Sequence, residues 1–266
     1  MNFAKSSFIT VFVLLGGLHV MASEPGDRLD RSEESLTPTL RQTAMPQLGD
    51  GRLAKILNHY YEDALGGREK WADISSLRVA GRLKLKNGEL SLTAVQKKPN
   101  LIKMTLRQNQ QDLVMAFDGT TAWQRPPVRD AKPVLMSEDE ARRFIHSAQF
   151  GNYLLFPYAE GKELVYLDTV PVEGNICHQI RVTLENGFQL DYFIDIQSYM
   201  EVKVENTDLL SGSKNSIIYS DYIRESGMPI ARKVESYENG EWVSTLTLEE
   251  AKVNSGVISW MFNMPR

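Results

Sequence analysis

The chain predicts an α+β domain built on one strongly curved antiparallel sheet. We expect a half-open barrel of about eleven strands, with two or three helices covering its concave face. Three observations carry this. Apolar and charged residues alternate strand after strand, as in Leu77, Val79, Leu83 and Leu85 against Arg78, Arg82, Lys84 and Lys86. Short polar turns such as Asn87-Gly88, Asn186-Gly187 and Asn239-Gly240 separate the runs. Helical periodicity is confined to two regions, before residue 75 and around residue 140.

Taken in order, Lys5 is followed by an apolar run, Phe8 to Val20, and then by the small-residue site Val20-Met21-Ala22. That pattern reads as a signal peptide over residues 1–22, cleaved near Ala22. Residues 23–48 are polar and carry no apolar period, so they read as a flexible leader. The domain proper is expected over 49–266. Leu53, Ile56, Leu57, Tyr60, Tyr61 and Leu65 recur at helical steps, and Gly66-Gly67 ends that helix. A shorter helical piece over 68–74 carries Trp71. Strands follow at about 76–86, 89–98, 101–108, 111–118 and 121–125, until Pro126-Pro127 stops the pairing. Ser137 caps a helix over 137–148, with Glu140 three residues on. The apolar, aromatic stretch 150–158 belongs to no regular element. Strands return at about 163–172, 175–185, 188–196, 199–208, 214–224, 230–238 and 241–253. In the 199–208 strand Met200, Val202 and Val204 are expected to point inward, and Glu201, Lys203 and Glu205 outward.

A sheet of this many strands, at ~4.8 Å each, is roughly 50–55 Å wide. A helix is only ~10–12 Å across. Two or three helices leave part of the apolar face uncovered unless the sheet curls round them. The remaining hollow is either a ligand cavity or a core filled by methionines and aromatics; the pattern alone leaves both open.

Chemistry is sparse. His59, His146 and His178 are widely separated, and no set of them with carboxylates has metal-ligand spacing. There is no nucleophile elbow, no phosphate-cradling glycine loop and no cysteine pair. Asp191 and Asp195 share a strand but are adequately explained as solvent-facing. No catalytic residue, metal or cofactor is expected. Cys177, the single cysteine, reads as structural and makes no internal disulfide. The sequence has 30 basic and 34 acidic residues; removing Lys5 with the signal gives 29 − 34 = −5, which excludes a nucleic-acid footprint.

Two segments carry a resemblance to a known family. Gln96-Lys97-Lys98-Pro99-Asn100, a strand, and then Phe117-Asp118-Gly119-Thr120-Thr121-Ala122-Trp123 resemble the LolA-like family of bacterial outer-membrane lipoprotein-sorting proteins. Ala64-Leu65-Gly66-Gly67, Leu77-Arg78-Val79-Ala80-Gly81 and the close Met261-Phe262-Asn263-Met264-Pro265 extend it over about residues 50–265. The resemblance implies a curved sheet with helices in its mouth as a lid, and a cavity between them for lipid or lipoprotein acyl chains. It also implies a periplasmic location, with an inner-membrane transporter and an outer-membrane acceptor as partners. On that reading Leu83, Leu92, Met104, Leu106, Met115, Phe117 and Trp123 line the cavity from the first strands. Ile180, Leu190 and Tyr192 line it from the later ones, and Leu154, Leu155 and Phe156 from the lid region. In the lipoprotein carriers an arginine of the basic-Pro-Asn motif holds the lid; the matching residue here is Lys98, which lacks the planar fork. The alternative function is a non-catalytic protein-interaction or sensor module of the cell envelope with the same fold.

Overall fold

The structure, a computed structural model, describes residues 51–154 and 162–265. The expected signal peptide and leader, and Leu155 and Phe156, lie outside the described residues.

Thirteen strands form one sheet in the order β6-β5-β4-β3-β2-β1-β13-β12-β11-β10-β9-β8-β7. They are β1 (Ser76–Leu85), β2 (Gly88–Lys97), β3 (Leu101–Gln108), β4 (Gln111–Phe117), β5 (Ala122–Arg125), β6 (Val134–Leu135), β7 (Lys162–Val172), β8 (Asn175–Leu184), β9 (Phe188–Asp195), β10 (Glu201–Asp208), β11 (Lys214–Glu225), β12 (Met228–Glu238) and β13 (Glu241–Val253). Nearly every neighbour in space is a neighbour in sequence, because tight turns permit only antiparallel hairpins. The exception is the seam where β1 pairs with β13, joining the two halves of the sheet. The count exceeds the expected eleven. The sequence ranges already held twelve; β6 is the addition, only two residues long and with both side chains exposed, so it leaves no alternating signal.

The helices lie on one face. Arg52–His59 is α1, and it runs on into a π-turn, Tyr60–Ala64; Arg68–Asp73 is α2 and Glu138–Ala148 is α3. The capping box forms as expected: the Ser137 side chain accepts from Glu140 N–H and Glu140 reaches back. On α3, Arg142 donates to the buried Asp208 at the end of β10 at 2.7 Å, and Arg143 lies 3.7 Å from the same carboxylate. Because α3 also packs on β4 and β5, it bridges the two open halves of the sheet.

One hydrophobic cluster fills the space between the helices and the sheet. Three smaller clusters lie on the other face. Two of them sit under the C-terminal segment, which straps β2 to β5 from outside. Lys97 donates to Val257 O at 2.9 Å, Lys103 to Met261 O at 3.2 Å, and Trp123 Nε1 to Phe262 O at 2.8 Å. The third contains Cys177, Phe193 and Val202, so the cysteine is a small buried apolar group on the outer face.

Candidate functional site

The predicted lining residues divide by face. Leu83, Leu92, Met104, Leu106, Met115, Phe117, Leu154, Ile180, Leu190 and Tyr192 all belong to the helix-facing cluster and are buried. Trp123 does not. On β4, Met115 and Phe117 point to the helices while Val114 and Ala116 point away, and Trp123 joins Val114 and Ala116 with Met264 packed on them. Trp123 opposes Ala116 in the ladder and therefore shares its outer face. It pins the C-terminal strap instead of lining the hollow.

The hollow is largely occupied by the helices' own side chains, but a cavity of about 120 Å³ remains. It lies beside the β1–β13 seam. Leu77 and Val79 of β1, Ile230 and Val234 of β12 and Leu248 of β13 form its floor, and Trp71 of α2 and Phe150 lie over it. The Trp71 and Phe150 rings meet at 5.7 Å between centroids. None of the described residues expected to line the hollow borders this space. Leu83 pairs with Leu246 on the seam but further along it; the cover of the cavity is completed by Tyr60 and Leu65 and by Gly151 and Asn152 of the loop after α3.

The roof is held by polar contacts. The Lys98 ammonium donates to Trp71 O at 2.5 Å and lies 5.2 Å from the centre of the Trp71 ring. It thus engages the last turn of α2 through one carbonyl, as a point charge does. Burial pushes its pKa down to about 8, against a smaller opposing effect of Asp73. Tyr61 donates its hydroxyl to Leu154 O, linking the π-turn to the loop after α3. The π-turn makes this possible: Leu65 N–H bonds to Tyr60 O at 3.0 Å, five residues back. The wider turn lets the adjacent Tyr60 and Tyr61 both point inward. The turn ends at Gly66, where φ is +86° and a Cβ would lie 2.7 Å from Gly227 O, so only glycine permits the close approach.

The polar centre of the cavity is Glu201, which the alternation pattern places outside. The structure places it inside because a β-bulge interrupts β10. Glu201 opposes Ile194, Lys203 opposes Phe193 and Val204 opposes Tyr192, so two residues advance on β10 for one on β9. Glu201 and Val204 therefore face the helices, while Val202 turns to the outer face with Phe193 and Cys177. Tyr60 and Asn152 both donate to the same oxygen of Glu201, and Asn152 Nδ2 also reaches Tyr60 Oη at 2.7 Å. Tyr222 donates to the Glu201 backbone carbonyl at 2.7 Å. Burial raises the Glu201 pKa from 4.5 to about 7, and the two hydrogen bonds pull it down only in part. Burial and the nearby carboxylate push the Tyr60 and Tyr222 phenols well above their ordinary value. A one-residue bulge leaves no compositional trace in a run as short as 199–208.

Asp191 is engaged by Arg181 through two bonds of 2.7 Å, and Asp195 accepts from the Gln197 and Ser198 backbone in the β9–β10 turn. Among the described residues, no group of three potential metal ligands converges. The site can desolvate an apolar group and hold one polar group against it.

Comparison with solved structures settles the architecture. A LolA superfamily protein from Nitrosomonas europaea superposes with a TM-score of 0.56 at 12% identity, covering 79% of this chain and 96% of that one. The chain has the LolA-like fold. An outer membrane lipoprotein-sorting protein domain from Vibrio parahaemolyticus gives 0.54 at 12% identity, over 74% of this chain and 94% of that one. A DUF1329 family protein from Desulfovibrio piger gives 0.55 at 8% identity, over 79% and 95%. No protein-family model matches the sequence, and no curated protein matches it.

Proposed function

We propose that the protein is a non-catalytic, periplasmic binder of lipid or lipoprotein acyl chains, which enter between the helical lid and the sheet. The observation that carries this reading is the apolar cavity retained at the β1–β13 seam under a roof held by few contacts. The LolA-like fold and the lipoprotein-sorting description of a structural neighbour support it. Export through the signal peptide at residues 1–22 supplies the location. A transporter on the inner membrane and an acceptor on the outer membrane are the corresponding partners.

The size of the cavity fixes how binding must work. An engineered apolar cavity of ~150 Å³ takes up benzene, so 120 Å³ accommodates a segment of similar size. At about 0.8 kcal/mol per methylene, six carbons contribute ~5 kcal/mol, which corresponds to a dissociation constant on the order of 0.1–1 mM. Tighter binding requires the roof to lift and the chain to extend along the flanks, over Leu83, Leu92, Met104, Leu106, Met115, Phe117, Ile180, Leu190 and Tyr192. The residues of the connecting segment, Leu155 and Phe156, complete the proposed lining beside Leu154.

Native mass spectrometry of protein purified from the periplasm tests the reading. We expect adducts of lipid mass, and displacement of a fluorescent fatty-acid probe by unlabelled acyl chains. Protein that is always empty and takes up no probe overturns the carrier function and leaves the protein-interaction module of the envelope.

A further inference from the structure

Glu201 has an unusual combination of partners. It borders the cavity together with Tyr60, Tyr219 and Tyr222, yet both side-chain donors, Tyr60 and Asn152, converge on one of its two oxygens. No described residue donates to the other oxygen, and no Lys, Arg or His among them forms an ion pair with the carboxylate. Buried carboxylates are normally paired with a cation or neutralised. Elsewhere in this molecule that rule is followed: Asp208 is met by Arg142 and Arg143, and Asp191 by Arg181. Glu201, half-buried, instead borders the cavity, which Tyr60, Tyr219 and Tyr222 also line. Tyrosine ring faces carry negative electrostatic potential and attract ammonium groups. A carboxylate and three tyrosines bordering one apolar cavity are therefore suited to a positively charged nitrogen attached to a hydrocarbon.

We propose that the cavity selects amphiphiles bearing an amine or substituted ammonium group, which docks against Glu201 among Tyr60, Tyr219 and Tyr222 while the alkyl part lies on Leu77, Val79 and Ile230. The inference rests on the acyl-binding reading above and adds the head-group class to it. The adjoining phenols do not compete for the proton. Tyr60 on the π-turn, Tyr219 and Tyr222 on β11 and Tyr192 on β9 are all raised by burial and stay neutral below pH 9, and Asn152 from the loop does not titrate. An ammonium docking at Glu201 therefore favours loss of the Glu201 proton, and amine affinity increases as pH rises through neutrality.

The test compares decylamine, decanol and decanoate as competitors for a fluorescent alkyl probe on the full mature chain, at pH 5.5 and pH 8. At pH 8 we expect decylamine to bind at least tenfold more tightly than decanol, and decanoate more weakly than either. Glu201→Gln brings the amine-to-alcohol ratio close to one. Tyr219→Leu, which leaves the carboxylate in place, lowers that ratio severalfold and serves where the Gln variant folds poorly. Equal binding of amine and alcohol, preference for decanoate, or an amine preference that survives Glu201→Gln overturns the head-group assignment and leaves acyl binding standing. Failure of all three compounds to bind overturns both.

Discussion

Glu201→Gln offers the sharpest view of how the bulge on β10 shapes this molecule, because it removes a charge and keeps the shape. Glutamine retains an oxygen that accepts from Tyr60 and Asn152, the two contacts tying the lid to β10. What disappears is titration. In the folded chain burial raises Glu201 from 4.5 to about 7. A carboxyl raised on folding stabilises the fold below its unfolded value and loses that contribution as pH rises towards the folded one. The window is therefore pH 4.5 to 7. At ~1.36 kcal/mol per pH unit, and allowing for partial access of solvent through the cavity, the wild type should lose roughly 2–3 kcal/mol across it. For a domain of this size ~1 kcal/mol moves the melting temperature by about 2–4 °C, so the shift amounts to about 5–10 °C.

The assay is thermal unfolding of wild type and variant from pH 4 to 8.5 at fixed ionic strength. The two should melt together near pH 4.5, and the variant should melt about 5–10 °C higher at pH 8. Other groups titrate in both proteins and cancel in the difference. Parallel curves across the whole range refute the reasoning, since they mean that Glu201 titrates in the folded chain as it does in the unfolded one.

Three further outcomes are expected. His146 is buried against Phe188 and Tyr153, and burial pushes its pKa from 6.5 to about 3; stability held above pH 6.5 is lost as pH falls towards 3, so His146→Phe should flatten the acid side of the stability curve by roughly 3–5 kcal/mol. Lys98→Met should speed hydrogen exchange of the α2 amides about five- to tenfold, the loss of ~1 kcal/mol of hydrogen bonding to Trp71 O, with unchanged exchange arguing that the ammonium does not hold the roof. Trp123→Phe removes the donor to Phe262 O and should cost about 1–2 kcal/mol in urea unfolding, while acyl-probe affinity stays within twofold; a large loss of affinity would return Trp123 to the cavity wall.

The sheet was legible because a period of two with one charged face is a strong and redundant signal. Leu77 to Leu85, Ile102 to Leu106 and Ile180 to Leu184 each repeat it, and their ranges coincide with β1, β3 and β8 to within a few residues. The helices were legible for a similar reason, and the pattern already placed Tyr60 and Tyr61 together on the buried side. The irregularities were not legible. A bulge shifts the register by one residue, so the faces of Glu201 and Val202 were misread from the phase set by Val204, whereas Met200 packs on the helix-facing cluster as expected. β5 spans only four residues, which is too short to fix the face of Trp123 from periodicity. The strap that covers Trp123 has no period at all; its Val257, Met261 and Phe262 become interpretable only once the outer face of β2–β5 is in place. The cavity escaped for a different reason. It depends on which part of the sheet the lid covers thinly, and that follows from helix placement rather than from any residue on a strand.

The uneven cover also determines how the hollow can open. Beneath α1 and the π-turn, Ile56, Leu57, Tyr60, Tyr61 and Leu65 are buried in the main cluster. At ~1.5–3 kcal/mol per large apolar side chain, lifting this arm would cost roughly 10 kcal/mol, as much as unfolding a typical domain. The six-residue α2 buries only Trp71, and its removal from the sheet costs about 2–3 kcal/mol of burial plus the Lys98 contact. The double glycine Gly66-Gly67, with φ of +86° and +104°, separates the two arms and allows α2 to swing while α1 stays docked. Opening should therefore begin at α2, directly over the cavity. In native-state hydrogen exchange of the wild type, the amides of Arg68–Asp73 are expected to exchange through a sub-global opening several kcal/mol below that of α1. Exchange of α1 at or before α2 would mean that the lid moves as one body, and the cavity would then be a packing defect beneath a closed domain rather than an entrance.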